Sequence, residues 1–332
     1  MKPEPHLLPF GRRDDMKSKS FDLWSGVVVC LLVCNPAPAL AAGYTFTTVD
    51  FPGSPHTTLI AIDGFGRILG NYGAGAGFGG GLPVNGFLLD RGKFSTVDFP
   101  GSNFTIPLGL AVPEEIVGYY AEADGVTLHG FVREGGTYRS VDAPFAGAAG
   151  TTVLTDINLQ RQIVGAYTAF PGHVGLSDSG FLLDRGSFTV LPQFPGSLGT
   201  APFRISIRGD IMGFWIDPNG VTWHGFLLSG GSFTRLDDPE AGKTNCTGLG
   251  QLNYPNCSTE PFGMNDQGQI VGWFIKDDGT VHWFLLSKGV YTTLDFPAAV
   301  ITQPSDINDA GRIVGAYLDS AGVTHGFLAT PQ

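Results

Sequence analysis

One short motif recurs six times along this 332-residue chain, and that recurrence constrains the fold more than any other feature. The motif, Ile-Val-Gly-x-Tyr or a close variant, is carried by Ile68-Leu69-Gly70-Asn71-Tyr72, Ile116-Val117-Gly118, Ile163-Val164-Gly165-Ala166-Tyr167, Ile211-Met212-Gly213-Phe214-Trp215, Ile270-Val271-Gly272-Trp273 and Ile313-Val314-Gly315-Ala316-Tyr317. Its glycines fall 48, 47, 48, 59 and 43 residues apart. A second marker follows each copy: Gly86-Phe87, Gly130-Phe131, Gly180-Phe181, Gly225-Phe226, Trp283-Phe284 and Gly326-Phe327. A third, an aromatic-Ser/Thr run ending in Asp-x-Pro, spans Phe46 to Pro52, Phe94 to Pro100, Tyr138 to Pro144, Phe233 to Pro239 and Tyr291 to Pro297. In the remaining copy, Phe188 to Pro195, Pro192 replaces the Asp.

Each unit therefore offers four short strands. The connections carry hairpin chemistry, as in Asp90-Arg91-Gly92, Asp277-Asp278-Gly279 and Asn308-Asp309-Ala310-Gly311, with Gly where a turn needs positive φ. With 49 Gly and 23 Pro, helical crossovers have no room. A four-stranded unit of this size that is apolar on both faces must pack against copies of itself, as a propeller blade does. The expected fold is an all-β, six-bladed β-propeller with antiparallel blades. The order of the strands predicts how the ring closes. The opening strand, Tyr44–Phe51, matches the outermost strand of a unit, whereas the chain ends on a third strand at Phe327-Leu328-Ala329. The opening strand is expected to complete the last blade.

Residues 1–41 read as a Sec-type signal peptide, with Met16 as an alternative start. Lys17 and Lys19 precede the apolar run Val27 to Cys34, and Ala39-Leu40-Ala41 supplies the cleavage site. The run is too short to span a membrane, so no stable insertion is expected. Twin-arginine export at Arg12-Arg13 and lipidation at Cys34 fit less well, because acids follow the first and Val33 is bulky before the second. Residues 42–332 are expected to form one domain, secreted or periplasmic. That domain carries 14 Lys/Arg against 26 Asp/Glu, a net charge of −12. So acidic a chain is a poor ligand for nucleic acid. Cys246 and Cys257, close in sequence, are expected to form a disulfide in an oxidising compartment.

At Ile-Val-Gly-x-Tyr and His-Gly-Phe the sequence resembles the bacterial HAF-repeat family of extracellular proteins, over residues 44–332. Gly stands for the family's Ala in His129-Gly130-Phe131, His224-Gly225-Phe226 and His325-Gly326-Phe327, while Asn85 and Ser179 replace the His in two units. The resemblance implies an exported repeat protein. It supplies no catalytic residues.

Two residue sets stand out as possible sites. His129, His224, His282 and His325 share one repeat position, too widely spaced across blades for one metal ion, and are read as structural. Asp63, Asp156, Asn158, Asn265, Asp266, Asp306, Asn308 and Asp309 lie near the first turn of their units. They would gather at one mouth of a central channel, where such oxygens either build turns or hold a cation such as calcium. No other cofactor is expected. Gly75 to Gly80 matches a G-x-G-x-x-G pattern but leads into a strand, so it is read as a loop and not a nucleotide site. Three insertions, Gly73–Asn85, Thr168–Ser179 and Ala241–Pro261, are expected to project from a single face.

The functional expectation is a monomeric binding or interaction module that uses those loops to hold an extracellular protein or glycan. The alternative is a propeller hydrolase or lyase acting on a carbohydrate or small ester at the channel mouth. A third reading, a structural surface protein, predicts no pocket. Two carboxylates converging in a deep pocket would favour glycoside chemistry. A shallow, plugged channel would favour binding.

Overall fold

Why the first two markers recur is visible in the strand register. In every unit the Gly of Ile-Val-Gly lies opposite the Phe of the second marker: Gly70 with Phe87, Gly118 with Phe131, Gly165 with Phe181, Gly213 with Phe226, Gly272 with Phe284 and Gly315 with Phe327. All six phenyl rings are buried. At Gly70, Gly165, Gly272 and Gly315 a methyl group would strike the ring opposite. The second marker's Gly serves the next sheet. A methyl on Gly86, Gly130, Gly180, Gly225 or Gly326 would meet Pro107, Leu154, Pro202, Pro261 or Leu59.

The computed structural model describes residues 43–76, 84–111, 113–147, 150–168, 179–220, 222–244, 257–297 and 299–332. The described residues all fall in one unit, Pro38–Gln332. Among the described residues there are twenty-four strands and no helix. The chain enters with β1 (Tyr44–Thr48). A first sheet follows, of β2 (Thr57–Ile62), β3 (Ile68–Tyr72), β4 (Asn85–Asp90) and β5 (Lys93–Val97). The second holds β6 (Phe104–Ala111), β7 (Glu115–Ala121), β8 (Leu128–Glu134) and β9 (Thr137–Val141). Next come β10 (Thr151–Ile157), β11 (Ile163–Thr168), β12 (Ser179–Asp184) and β13 (Ser187–Val190). They are followed by β14 (Thr200–Ile205), β15 (Ile211–Ile216), β16 (Trp223–Ser229) and β17 (Ser232–Leu236). Then come β18 (Thr259–Met264), β19 (Ile270–Ile275), β20 (Val281–Ser287) and β21 (Val290–Thr293), and finally β22 (Ile301–Ile307), β23 (Ile313–Leu318) and β24 (Thr324–Pro331).

Within each group of four, neighbouring strands run antiparallel. The last sheet has the order β1-β24-β23-β22, so the opening strand pairs with the closing one, from Tyr44 opposite Pro331 to Thr48 opposite Phe327. β1 is shorter than the Tyr44–Phe51 expected from sequence, because beyond the Val49 N–H bond to Gly326 O the chain turns away at Pro52. Four sheets stand separately. β10–β13 and β14–β17 are joined into an eight-stranded sheet by one parallel pair, Ser179 with Thr200. This junction arises where β13 is short. β13 covers only Phe181–Asp184 of β12, which leaves the Ser179 edge open to the next inner strand.

Every innermost strand carries a β-bulge at the same place, at residues 60, 108, 155, 203, 262 and 305. A bulge turns the strand and redirects its backbone groups. Between sheets lie six apolar clusters, and β2 packs on β22, β23 and β24, so the first sheet meets the last.

Candidate functional site

In four of the four-stranded units the turn joining the first two strands is built by one Asp or Asn side chain. In Asn158 the Oδ1 accepts from Gln160 N at 3.0 Å and Gln162 N at 3.0 Å. Asn265 and Asn308 repeat this, and Asp63 accepts from Phe65 and Arg67 N–H groups at 2.9 Å each. These are Asx turns. The amide nitrogen then reaches the next sheet: Asn158 Nδ2 donates to Ser206 O at 2.9 Å, Asn265 Nδ2 to Asn308 O at 3.0 Å and Asn308 Nδ2 to Asp63 O at 2.9 Å. Where no Asn is available, other groups latch the seam. Asp266 Oδ1 accepts from Ile207 N at 2.8 Å, Arg67 donates to Pro113 O, and Arg161 pairs with Glu115. Every seam around this rim is thus tied.

All eight sequence-predicted Asp and Asn residues line one cavity of about 200 Å³ at this rim. Its floor is a residue that the sequence reading missed. Arg204, 6% exposed, follows the bulge of β14. Its Nη2 donates to Ile60 O at 3.1 Å and Ser305 O at 3.2 Å, and its Nη1 approaches Leu108 O, Thr155 O and Phe203 O at 3.4 to 3.5 Å. Those five carbonyls belong to five of the six bulges. One guanidinium therefore gathers five innermost strands on the axis and closes the channel below the mouth. The signal that could have found it is the column of residues just after each bulge, Ala61, Gly109, Asp156, Arg204, Gly263 and Asp306, in which one arginine stands alone.

Asp156 and Asp306 occupy that column beside it. Asp306 Oδ1 lies 3.4 Å from Arg204 Nε, and its Oδ2 accepts from Ile62 N at 3.0 Å; Asp156 Oδ2 accepts from Ile205 N at 2.9 Å. Gly109 and Gly263 make room, since a methyl there would strike Asp156 or Asp306. Burial pushes the Asp156 carboxyl up to about 7 against the pull of Arg204, and raises Asp306 by the same means. Asp266 and Asp309 sit on the outer rim, with Asp309 Oδ1 accepting from Asp266 N at 2.9 Å. The cavity has an excess of carboxylates over cations. Such a lining suits hydrogen-bond donors and positive charge and repels anions.

The four histidines are brought to no common site. Each Nδ1 meets the Asp of the third marker on the adjoining strand: His129 with Asp142 at 2.8 Å, His224 with Asp237 at 3.1 Å, His282 with Asp295 at 3.1 Å and His325 with Asp50 at 2.8 Å. The aromatic residue of the first motif packs against each imidazole, as Tyr120 does on His129 and Trp215 on His224. Where Ser179 replaces the His, Pro192 replaces the Asp, so the pair is lost together. Among the described residues no group of three or more His, Cys, Asp or Glu is placed to hold a metal ion. The alternation of strands puts the Asp/Asn cavity on the face opposite the strand ends that flank the three insertions. Residues 77–83, 169–178 and 245–256, the body of those insertions, and with them Cys246 and most of Gly75 to Gly80, lie outside the described residues.

The antiparallel four-stranded sheets packed in sequence, the first against the last, define a β-propeller. No protein-family model matches the sequence, and comparison with curated proteins gives no match. Solved structures are similar. A luciferin-regenerating enzyme superposes with a TM-score of 0.50 at 9% identity, over 87% of this chain and 95% of that one. A gluconolactonase from Xanthomonas campestris gives 0.49 at 11% identity, over 89% and 93%. A fucose-specific lectin from Aleuria aurantia gives 0.45 at 11% identity, over 84% and 93%. At these identities the likeness concerns the fold alone. No helix among the described residues is long and apolar enough to cross a membrane.

Proposed function

We propose that this chain is an exported, monomeric, six-bladed propeller of the HAF-repeat family, cleaved after Ala41, that binds and does not catalyse. The six blades are the four separate sheets and the two halves of the eight-stranded one. Pairing of β1 with β24 supports closure of the ring by the opening strand. The observation that carries the binding reading is the Arg204 plug. It leaves a shallow mouth, where the inner acids are spent on turns, seams and the guanidinium, while Asp266 and Asp309 engage their Oδ1 atoms in the seams. A glycan hydroxyl group or a cation such as calcium would meet the outer carboxylates Asp266 and Asp309, while partner contacts of the loop face are a separate surface. The test is a glycan-array and calcium titration of the intact protein and of Asp266→Asn/Asp309→Asn. Binding at the mouth predicts a ligand, or a calcium-dependent rise in Tm, that the double variant loses. A protein that binds neither glycan nor calcium, in either form, would remove this assignment.

One observation favours the enzymatic alternative, a hydrolase or lyase on a carbohydrate or small ester. Asp156, held near 7 beside Asp306, has the character of a general acid. Turnover of aryl glycosides or aryl esters that is abolished in Asp156→Asn would decide for it.

A further inference from the structure

A second cavity, of about 450 Å³, opens between β6–β9 and β10–β13, away from the axis. That volume is in the ~300–1,000 Å³ range of small-molecule sites. Its floor is aliphatic: Val132, Val141, Ile157, Ile163 and Leu183 are all buried side chains that nonetheless line it. Its rim is basic. Arg139, Arg161 and Arg185 line it against a single carboxylate, Glu115, in a chain of net charge −11.

The three arginines are not equivalent. Arg161 is engaged, pairing with Glu115 and with Glu134 at 3.1 Å. Arg185 stands at the turn between β12 and β13, 93% exposed, with its nearest carboxylate, Asp184, 3.9 Å away. Arg139 is exposed on β9, and among the described residues its guanidinium makes no hydrogen bond or ion pair. Two guanidinium groups are therefore left beside an apolar floor, on a molecule whose overall charge gives no reason to collect them there. Guanidinium recognises carboxylate through paired N–H donors, and an aliphatic floor gains from covering with aliphatic carbon.

From this we infer a binding site for a small anionic amphiphile, a carboxylate with a short aliphatic tail, its head between Arg139 and Arg185 and its tail along Val132, Val141 and Leu183. A sugar ring is less suited, since the floor offers aliphatic side chains with only Phe188 as an aromatic. Ile157 lines both this cavity and the axial one, but the two share no charged residue, and the proposal does not rest on the function proposed for the axial site.

The probe is octanoate, titrated calorimetrically into the intact protein at low and at 0.5 M salt, with butyrate, octanol and octyltrimethylammonium as comparisons. One site is expected for octanoate, with weaker binding of butyrate and octanol and none of the cation. Arg139→Gln and Arg185→Gln remove exposed side chains and leave the fold intact, as circular dichroism will show. Each is expected to weaken octanoate about three- to ten-fold, in line with a partly exposed charged hydrogen bond. Asp266→Asn/Asp309→Asn is expected to leave octanoate binding unchanged. Equal affinity in the Arg139→Gln/Arg185→Gln protein, octanol binding as tightly as octanoate, or no octanoate binding at millimolar concentration would each overturn the proposal.

Discussion

Arg204 shows how much one side chain can be asked to do in a ring of repeats. The bulges turn backbone carbonyls toward the axis, and a ring of carbonyl oxygens without a donor would be costly to bury. One guanidinium has the donors to meet several at once. Arg204→Met is therefore expected to lose about 3–5 kcal/mol in denaturant unfolding, the usual cost of stripping one partner from a buried charged network; a loss below about 1 kcal/mol would contradict its role as the axial tie. Asp156 and Glu260 add a pH dependence. Burial raises both carboxyls above their ordinary values, Asp156 to about 7 and Glu260 well above its usual range. A group raised in the fold holds its proton longer there than in the unfolded chain. Its effect is thus favourable at low pH and is lost as pH climbs from about 4 through the raised value. Among the described residues Glu260 Oε1 is buried with no hydrogen-bond partner. Glu260→Gln should accordingly raise Tm at pH 8 and change it little at pH 4.5, and a Tm that falls equally at both would contradict this account of the buried carboxyl.

Among the elements, the glycine of the first motif recurs six times and the histidine of the second four times, and the two carry different weight. Gly118 lies where the two innermost strands of its sheet pass closest, and a methyl group there would run into the Ile106 carbonyl. The backbone cannot give way without breaking the ladder. Gly118→Ala should cost at least ~1–3 kcal/mol as an overpacking defect. The His129–Asp142 pair is half in solvent, its side chains 21% and 50% exposed. His129→Gln should cost under about 1 kcal/mol, as exposed ion pairs do. Thermal unfolding of the two variants side by side checks the ranking, and a reversed order would mean that the histidine girdle, not the glycine contact, holds the sheet. The 13-residue spacing of His129–Asp142, His224–Asp237 and His282–Asp295 was legible in the sequence as a regularity. That it is a hydrogen bond was not, because spacing alone does not say which strands pair in which register.

For the whole molecule, the decisive contact is between the two ends. β1 pairs with β24, Phe46 packs edge-on to Trp283 and Phe296, and Gln332 N donates to Gly43 O at 2.9 Å. Deleting residues 43–48 would bare β24 as an edge strand, and exposed edges recruit other chains. The truncated protein should unfold at lower temperature and self-associate in sedimentation. Conversely, joining Gln332 to Gly43 through a short linker and opening the chain between Gly135 and Gly136 should give a folded circular permutant, since the new ends lie in an exposed hairpin turn. A permutant that fails to fold while the truncation stays monomeric and stable would reverse the account of closure.

The sequence by itself determined what repeats determine. It set the four-strand unit, the glycines where chains pass closely, the turn-building Asp and Asn residues, and the pairing of first strand with last, because each of these is local or is copied from unit to unit. The tertiary structure alone decided what no single unit contains. It joined two sheets through Ser179 and Thr200, placed Arg204 against carbonyls from strands more than 140 residues apart, and buried Asp156 and Asp306 beside it. The physical reason is that the axis belongs to every repeat and to none. Residues meet there only after the ring has formed, and their chemistry depends on burial and neighbours that have no trace in any local stretch of chain.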